Sequence, residues 1–236
     1  GEEKFEEEKK SYVNKNEINF SFKLTKNIIS EILKKIDFYE KEKDKKKKEN
    51  KNGNDNNNNM AIESPEYDED KKIETLRNYK FAIICTYKAQ VMKFRELKKK
   101  DDFFRNRHLN DIEINTVDSF QGQERDIIIV STVRANFKEN GNILEDGEIP
   151  SSPQSPTPDD SNEKNNNNIG IGFLNDFRRM NVGLSRAKIG CFIVGHYETL
   201  KNNSYWIQLM NYCKEKKSFF QVDKDKEYDA IKNIFV

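Results

Sequence analysis

Between Thr116 and Val130 the run TVDSFQGQERDIIIV sets Gln121, Gly122, Gln123 and Glu124 between two strand-like segments. A glycine at that place lets the backbone take a positive φ or approach a ligand closely. Gln121, Gln123 and Glu124 offer hydrogen bonds to ribose or to phosphate-bound groups. From spacing alone a second reading stands beside this one: a tight loop in which Asp118, Ser119 and Asp126 cap backbone donors. Another polar run, RRMNVGLSRAK, gathers Arg178, Arg179, Arg186 and Lys188 on a short helix between a loop and an apolar strand. Arg186 follows Arg179 by seven residues, two turns along roughly the same helix face. Planar guanidinium forks suit phosphate oxygens, and an arginine at a domain edge can stabilise charge on a phosphoryl group in transfer. The alternative is a solvated or salt-bridged helix face.

Tyr87 and Gln90 stand at a strand-to-helix turn, where an exposed ring could stack on a base or where Tyr87 could close the edge of a core. The helix that follows carries Lys93, Arg95, Lys98, Lys99 and Lys100, a face for a nucleic-acid backbone or for solvent. Absences bear on the chemistry as well. There is no GxxxxGK[ST] and hence no P-loop, and no acidic pair after a buried strand reads as a magnesium site. A nucleotide would find only part of its site here. Cys85, Cys191 and Cys213 lie far apart, two of them in apolar runs, and read as buried thiols of a reducing compartment; with two histidines, no zinc spacing is present. No apolar run reaches the roughly 20 residues of a membrane span, and GEEKFEEEKK is the opposite of a signal peptide.

These residues need a scaffold, and the patterning supplies one. Ile28, Ile29, Ile32, Leu33 and Ile36 fall on one face of a helix over residues 25–39, which the charge run from Glu40 prolongs briefly. Residues 80–87 read as a short buried strand, 88–104 as a helix with Val91, Phe94 and Leu97 on its apolar stripe, and 112–117 as a strand. DIIIVSTV and GCFIVG are continuous enough to be strands covered on both faces. Between them, residues 176–188 read as a helix with Asp176 as N-cap, and residues 203–216 as a last helix carrying Trp206, Leu209, Met210 and Cys213. This alternation is an α/β pattern with a mainly parallel sheet, in which ligands gather at the carboxyl ends of strands.

Hydrophobic residues make up 34% of the 236 and charged ones 35%, an average over two populations. The strand-like runs are core material. Residues 44–72, rich in Lys and Asn, and residues 137–168, rich in Pro, Ser and Asn, cannot bury enough apolar area to offset backbone ordering. One compact domain over residues 20–222 with two disordered inserts is therefore expected. The net charge of +1 argues neither for nor against nucleic acid, since a local patch can act under a neutral total.

NTVDSFQGQERDIIIVSTVRAN and IGFLNDFRRMNVGLSRAKIGCFIVG closely resemble motifs V and VI of superfamily 1B RNA/DNA helicases, the group that includes senataxin and the nonsense-mediated-decay helicase. FAIICTYKAQVMKFRELK is similar to the strand and helix before motif V, with Thr86 where the family usually has Pro, and NSYWIQLMNYCKEKKSF resembles the end of that domain. The resemblance implies a RecA-like α/β domain of the P-loop-NTPase type without its own P-loop. It would be the second motor domain of an ATP-dependent 5′-to-3′ RNA/DNA helicase. ATP and Mg2+ would bind between it and a first RecA-like domain that this chain lacks. On this chain the resemblance implies Gly122 and Glu124 facing the nucleotide, Arg186 as the arginine finger at the γ-phosphate, and Arg179 in support. Gln121 would couple the nucleotide and nucleic-acid sites, with Thr116, Ser119 and Tyr87 on the nucleic-acid side.

The implied partners are single-stranded RNA or DNA and the first RecA-like domain of the same parent, in a monomer with no membrane association. The chain opens on Gly rather than Met, so a fragment is expected, binding nucleotide weakly by itself and hydrolysing essentially none. Motif V is closer to the senataxin-like group, which favours a nuclear, transcription-linked parent over a cytoplasmic RNA-decay helicase. Two further readings stay open: a catalytically inactive binding or scaffold domain with a helicase fold, and a DNA-repair relative with the same site roles.

Overall fold

A computed structural model describes residues 3–6, 10–51, 65–106, 112–135, 172–222 and 234. A short antiparallel hairpin, β1 (Glu3–Glu6) and β2 (Ser11–Asn14), leads into a long helix, α1 (Lys15–Lys51), and then α2 (Pro65–Arg77). Next come β3 (Phe81–Cys85), α3 (Lys88–Lys100), α4 (Asp102–Asn106), β4 (Glu113–Thr116), a 3-10 turn at Asp118–Phe120 and β5 (Arg125–Ser131). Beyond a second 3-10 turn (Gly172–Asn175) follow α5 (Phe177–Ser185), β6 (Ala187–Val194), α6 (Tyr197–Leu200) and α7 (Ser204–Glu215). The sheet runs β4-β3-β5-β6 with every neighbouring pair parallel, which is the expected α/β fold of RecA-like type, helices flanking a parallel sheet.

Side-chain alternation along the central strands sorts the core into two layers. Phe81, Ile83, Cys85, Ile127 and Ile129 meet Ile28, Ile29, Phe94 and Phe104 from α1, α3 and α4. Ala82, Ile84, Ile128 and Val130 face the other way, onto Val117, Phe120 and the half-buried Val182 of α5. A third cluster holds α7, where Trp206 is buried beside Leu174, Leu200 and Met210, and its indole N–H donates to the Leu174 carbonyl at 3.0 Å.

Several elements differ from expectation. α1 begins at Lys15, ten residues before the expected start, because Asn14 caps it by accepting from the Glu17 N–H at 3.1 Å and because Ile18 and Phe22 extend the buried stripe. At its far end Lys41–Asp37 (2.8 Å) and Lys45–Glu42 (3.2 Å) pairs support the charged turns. The insert expected over residues 44–72 is thus helical at both described ends, with 52–64 outside the described residues; the insert expected over 137–168 lies wholly outside them. The helix expected to reach residue 104 breaks at Asp101, whose carboxylate accepts from Phe103 N–H at 3.0 Å and restarts the chain as α4. GCFIVG is covered only in part, with Phe192 and Val194 half-buried on one face of the sheet and Ile193 on the other. It belongs to edge strand β6, where Ile189 is 66% exposed and Cys191, expected buried, is exposed too, while Cys85 in the sheet centre is buried.

Candidate functional site

The run between β4 and β5 is a strap. Thr116 lies beside Cys85 at the carboxyl end of β3, whereas Ile127 lies beside Phe81 at its amino end. Residues 117–124 must therefore travel back along the full length of β3, about 16 Å for five residues. Val117 and Phe120 pin the strap to the sheet by burial, leaving Asp118, Ser119, Gln121, Gly122 and Glu124 exposed. Gly122 takes φ +78, the left-handed region that favours glycine. Helix α5 meets the strap at one end, and its C-cap with the start of β6 meets it at the other.

At the carboxyl end, Arg179 Nε stands 3.2 Å from Asp118 Oδ1 and 4.0 Å from Asp176 Oδ2. Thr116 Oγ1 and Ser119 Oγ share a hydrogen bond at 2.9 Å, and Gln123 Nε2 donates to the Ser119 carbonyl at 3.0 Å. Asp176 caps α5, as expected, by accepting from Arg178 N–H at 2.9 Å. At the amino end, Lys188 Nζ lies 3.3 Å from Glu124 Oε2, and the Arg125 N–H donates to the Arg186 carbonyl at 2.9 Å. Arg125 also pairs with Glu113. The two polar runs, distant in sequence, thus form one surface with two poles.

Arg186 is the C-cap of α5, half-buried at the junction with β6. Its Nη2 donates to Ser185 Oγ at 3.0 Å, but its Nε is buried and has no hydrogen-bond partner among the described residues. No carboxylate among the described residues forms an ion pair with it, in contrast to Arg179. A buried guanidinium donor left unmatched costs about 1–3 kcal/mol, more for a charged group, so the position favours an incoming acceptor such as a phosphate oxygen. Among the described residues no group of three His, Cys, Asp or Glu could hold a metal ion.

Tyr87 requires a correction. Its ring is only 7% exposed, packed edge-on against Tyr12 at 5.2 Å, and its hydroxyl accepts from Arg134 Nη1 at 3.3 Å. The geometry makes it a core-edge residue, not an open platform. Gln121 is exposed on the strap's turn, between the two poles. The basic face of α3 is spoken for locally: Lys93 and Lys100 reach Glu96 at 2.7 and 2.8 Å, and Lys98 donates to the Ile112 carbonyl at 2.8 Å. Those two lysines hold the Glu96 carboxyl down at about 2. Asp126 does cap a backbone donor, Lys80 N–H at 2.7 Å, whereas the Asp118 and Ser119 side chains turn to Arg179 and Thr116.

A buried polar network at the carboxyl end of β5 was missed from sequence. The Glu17 carboxyl accepts from Val133 N–H (2.8 Å) and Ser131 Oγ (2.7 Å); Asn14 Nδ2 donates to the Val133 carbonyl (3.0 Å), and Gln90 Nε2 donates to Ser131 Oγ (3.1 Å). Together they hold Val133 at φ +71, a strained conformation for a β-branched residue. The pattern Asn14-x-x-Glu17 at a helix start and a lone Gln90 in an apolar stripe are the signals that could have located it.

Desolvation raises the Glu17 pKa from 4.5 to about 7, against the hydrogen bonds that lower it. The folded chain therefore keeps a proton that the unfolded chain loses above pH 4.5, and stability should fall by about 3 kcal/mol between pH 4.5 and 7. Glu17→Gln is expected to flatten that slope, matching the wild type near pH 5 and exceeding it at pH 8. Urea midpoints at the two pH values measure this; equal pH dependence in both proteins rules it out.

Residues 33–198, more than half of the chain, match the family described as an AAA domain. The chain is 36% identical over 143 residues to the probable helicase MAGATAMA 3 of Arabidopsis thaliana, an overlap of 61% of this chain and 14% of that protein. With the regulator of nonsense transcripts 1 homolog of Drosophila melanogaster it shares 35% identity over 135 residues, 57% of this chain and 9% of the other. With the human probable helicase senataxin it shares 31% over 176 residues, 73% of this chain and 5% of the other. The chain spans only a small fraction of the length of each of these relatives.

Proposed function

The chain belongs to the AAA-domain family as a RecA-like helicase domain related to senataxin, Sen1 and the nonsense-transcript regulators, and from that premise we propose that it is the second motor domain of an ATP-dependent 5′-to-3′ RNA/DNA helicase. The observation that carries this reading is the two-poled surface, with Arg186 offering an unmatched guanidinium N–H at one pole and a Thr116–Ser119 hydroxyl pair at the other. Arg186 reaches the terminal phosphate of ATP, and Arg179, already anchored on Asp118 at the other pole, supports it by steadying the strap. Gly122 and Glu124 line the nucleotide side; Thr116 and Ser119 bind phosphates of a single strand, positioning it without reading its sequence. Gln121, on the turn between the poles, couples the two.

ATP supplies the free energy of each closing and opening step. The β-phosphate cradle and the Mg2+ ligands come from the first RecA-like domain of the parent protein. A nuclear parent close to senataxin fits motif V. The isolated chain is expected to release no phosphate from ATP, whereas its parent does so steadily in the presence of single-stranded RNA or DNA. Turnover by the isolated chain that Arg186→Ala abolishes would contradict the half-site, and a parent with no turnover would point instead to a scaffold domain.

A further inference from the structure

Two aromatic rings lie side by side in solvent where α5 and α7 begin. Phe177 is 43% and Tyr205 45% exposed, with ring centroids 5.5 Å apart and planes inclined by 31°. Their backbone is firmly held from below. Asp176 caps the first turn of α5, Asn203 caps that of α7 by accepting from the Tyr205 and Trp206 N–H groups (3.0 and 3.2 Å), and Asn203 Nδ2 donates to Asn175 Oδ1 at 3.3 Å, tying the two helix starts together. Trp206, next to Tyr205, is buried. The rings are thus placed by a capped frame and stay nearly half exposed.

Their surroundings favour one kind of occupant. The Arg178 guanidinium lies 5.9 Å from the Phe177 ring centre, and Arg179, one residue on, joins Asp118 beside Ser119. Phe177 therefore stands in the first turn of the helix whose Arg179 reaches the carboxyl-end pole, where the Thr116 and Ser119 hydroxyls lie. Two half-exposed rings present on the order of 200 Å², far below the roughly 800 Å² per partner of a stable protein interface, yet well matched to the face of a nucleobase. A ring pair flanked by guanidinium and hydroxyl donors has the makeup of a single-strand stacking platform, apolar faces for the base and donors for the phosphates.

We infer that Phe177 and Tyr205 form a stacking platform for a base of the single strand whose phosphates meet Thr116 and Ser119. The inference rests on the reading of that pole as the nucleic-acid side. The platform takes any base, because every base has a π-face, and it adds affinity without adding charge.

The test is fluorescence anisotropy of the 236-residue chain with labelled single-stranded RNA and DNA, and with the same strands made abasic. Phe177→Ala and Tyr205→Ala are each expected to weaken binding to the base-bearing strand by about 5- to 30-fold, with the salt dependence unchanged. Phe177→Trp restores it, and on the abasic strand the alanine variants bind like the wild type. Thr116→Ala with Ser119→Ala weakens binding to both kinds of strand. If the hydroxyl variant loses affinity while the ring variants do not, or if the ring variants lose equally on abasic strands, the platform is wrong and the pole assignment survives. If wild-type chain binds neither strand, or the hydroxyl variant binds as tightly as wild type, the pole assignment falls and the platform with it.

Discussion

Arg186→Ala, placed in the parent protein, is expected to lower ATP turnover by about 10³- to 10⁵-fold, the range over which arginine fingers act. The expectation follows from what Arg186 lacks. Among the described residues its Nε is buried without a partner and its side chain bonds only the neighbouring Ser185, so no structural ion pair is lost there when the side chain goes. Removing an unmatched buried donor costs the fold little and can relieve it. The loss should therefore fall on kcat, with KM for ATP nearly unchanged, as for a contact made chiefly in the transition state. Arg186→Lys should recover little, because an ammonium carries the charge without the planar fork. Arg179→Ala should behave differently. That arginine already pairs with Asp118 and Asp176, so its loss loosens the strap and weakens strand binding along with turnover. Steady-state kinetics with saturating single strand separate the two; a fall of less than tenfold in kcat for Arg186→Ala removes it from the finger role.

The sheet was legible because FAIIC and DIIIV are continuous apolar runs that only a doubly covered strand keeps dry. The same rule held only in part for GCFIVG, which packs on both faces but is not fully buried. Apolar continuity reports the preference of a strand to be covered, not whether a neighbour is present, and β6 stands at the edge of the sheet. The first hairpin was illegible for the opposite reason: EKFE and SYVN carry too little apolar patterning, and β2 is held by polar contacts such as Asn14 N–H to Gln90 Oε1 at 2.9 Å. Within the site, the residue types were readable but their pairing was not. Asp118 with Arg179 and Glu124 with Lys188 are long-range contacts that no local period encodes. Tyr87 left two readings open because exposure at a strand-to-helix turn depends on what packs over it, here Tyr12 and Arg134 from outside the local sequence.

Phe120→Ala is expected to destabilise the domain by about 3–5 kcal/mol, a large share of the roughly 5–15 kcal/mol that such domains possess. Phe120 is fully buried against Ala82, Ile84, Ile128 and Val130, with the Arg125 guanidinium 5.6 Å from its ring centre. Val117 N–H donates to the Cys85 carbonyl at 3.2 Å and ties the start of the strap to β3; its other backbone bonds are local, such as Phe120 N–H to Val117 carbonyl at 3.0 Å and Gln123 N–H to Phe120 carbonyl at 3.1 Å. The local bonds shape the turn without attaching it to the sheet. Attachment falls to Val117 and Phe120, and alanine at 120 leaves Val117 alone to hold it. Both poles should then lose their positions together, because Ser119 and Glu124 flank the same anchor. In the parent protein below its melting temperature, Phe120→Ala should reduce single-strand affinity and ATP turnover in parallel, whereas Arg186→Ala reduces turnover alone. Phe120→Leu, which keeps most of the volume, should cost under about 1.5 kcal/mol and restore both activities. A folded Phe120→Ala protein with normal strand binding and normal turnover would mean that Arg179 of α5 and Lys188 of β6 are enough to hold the strap. The coupling between the poles would then run through the α5–β6 unit rather than through the buried ring.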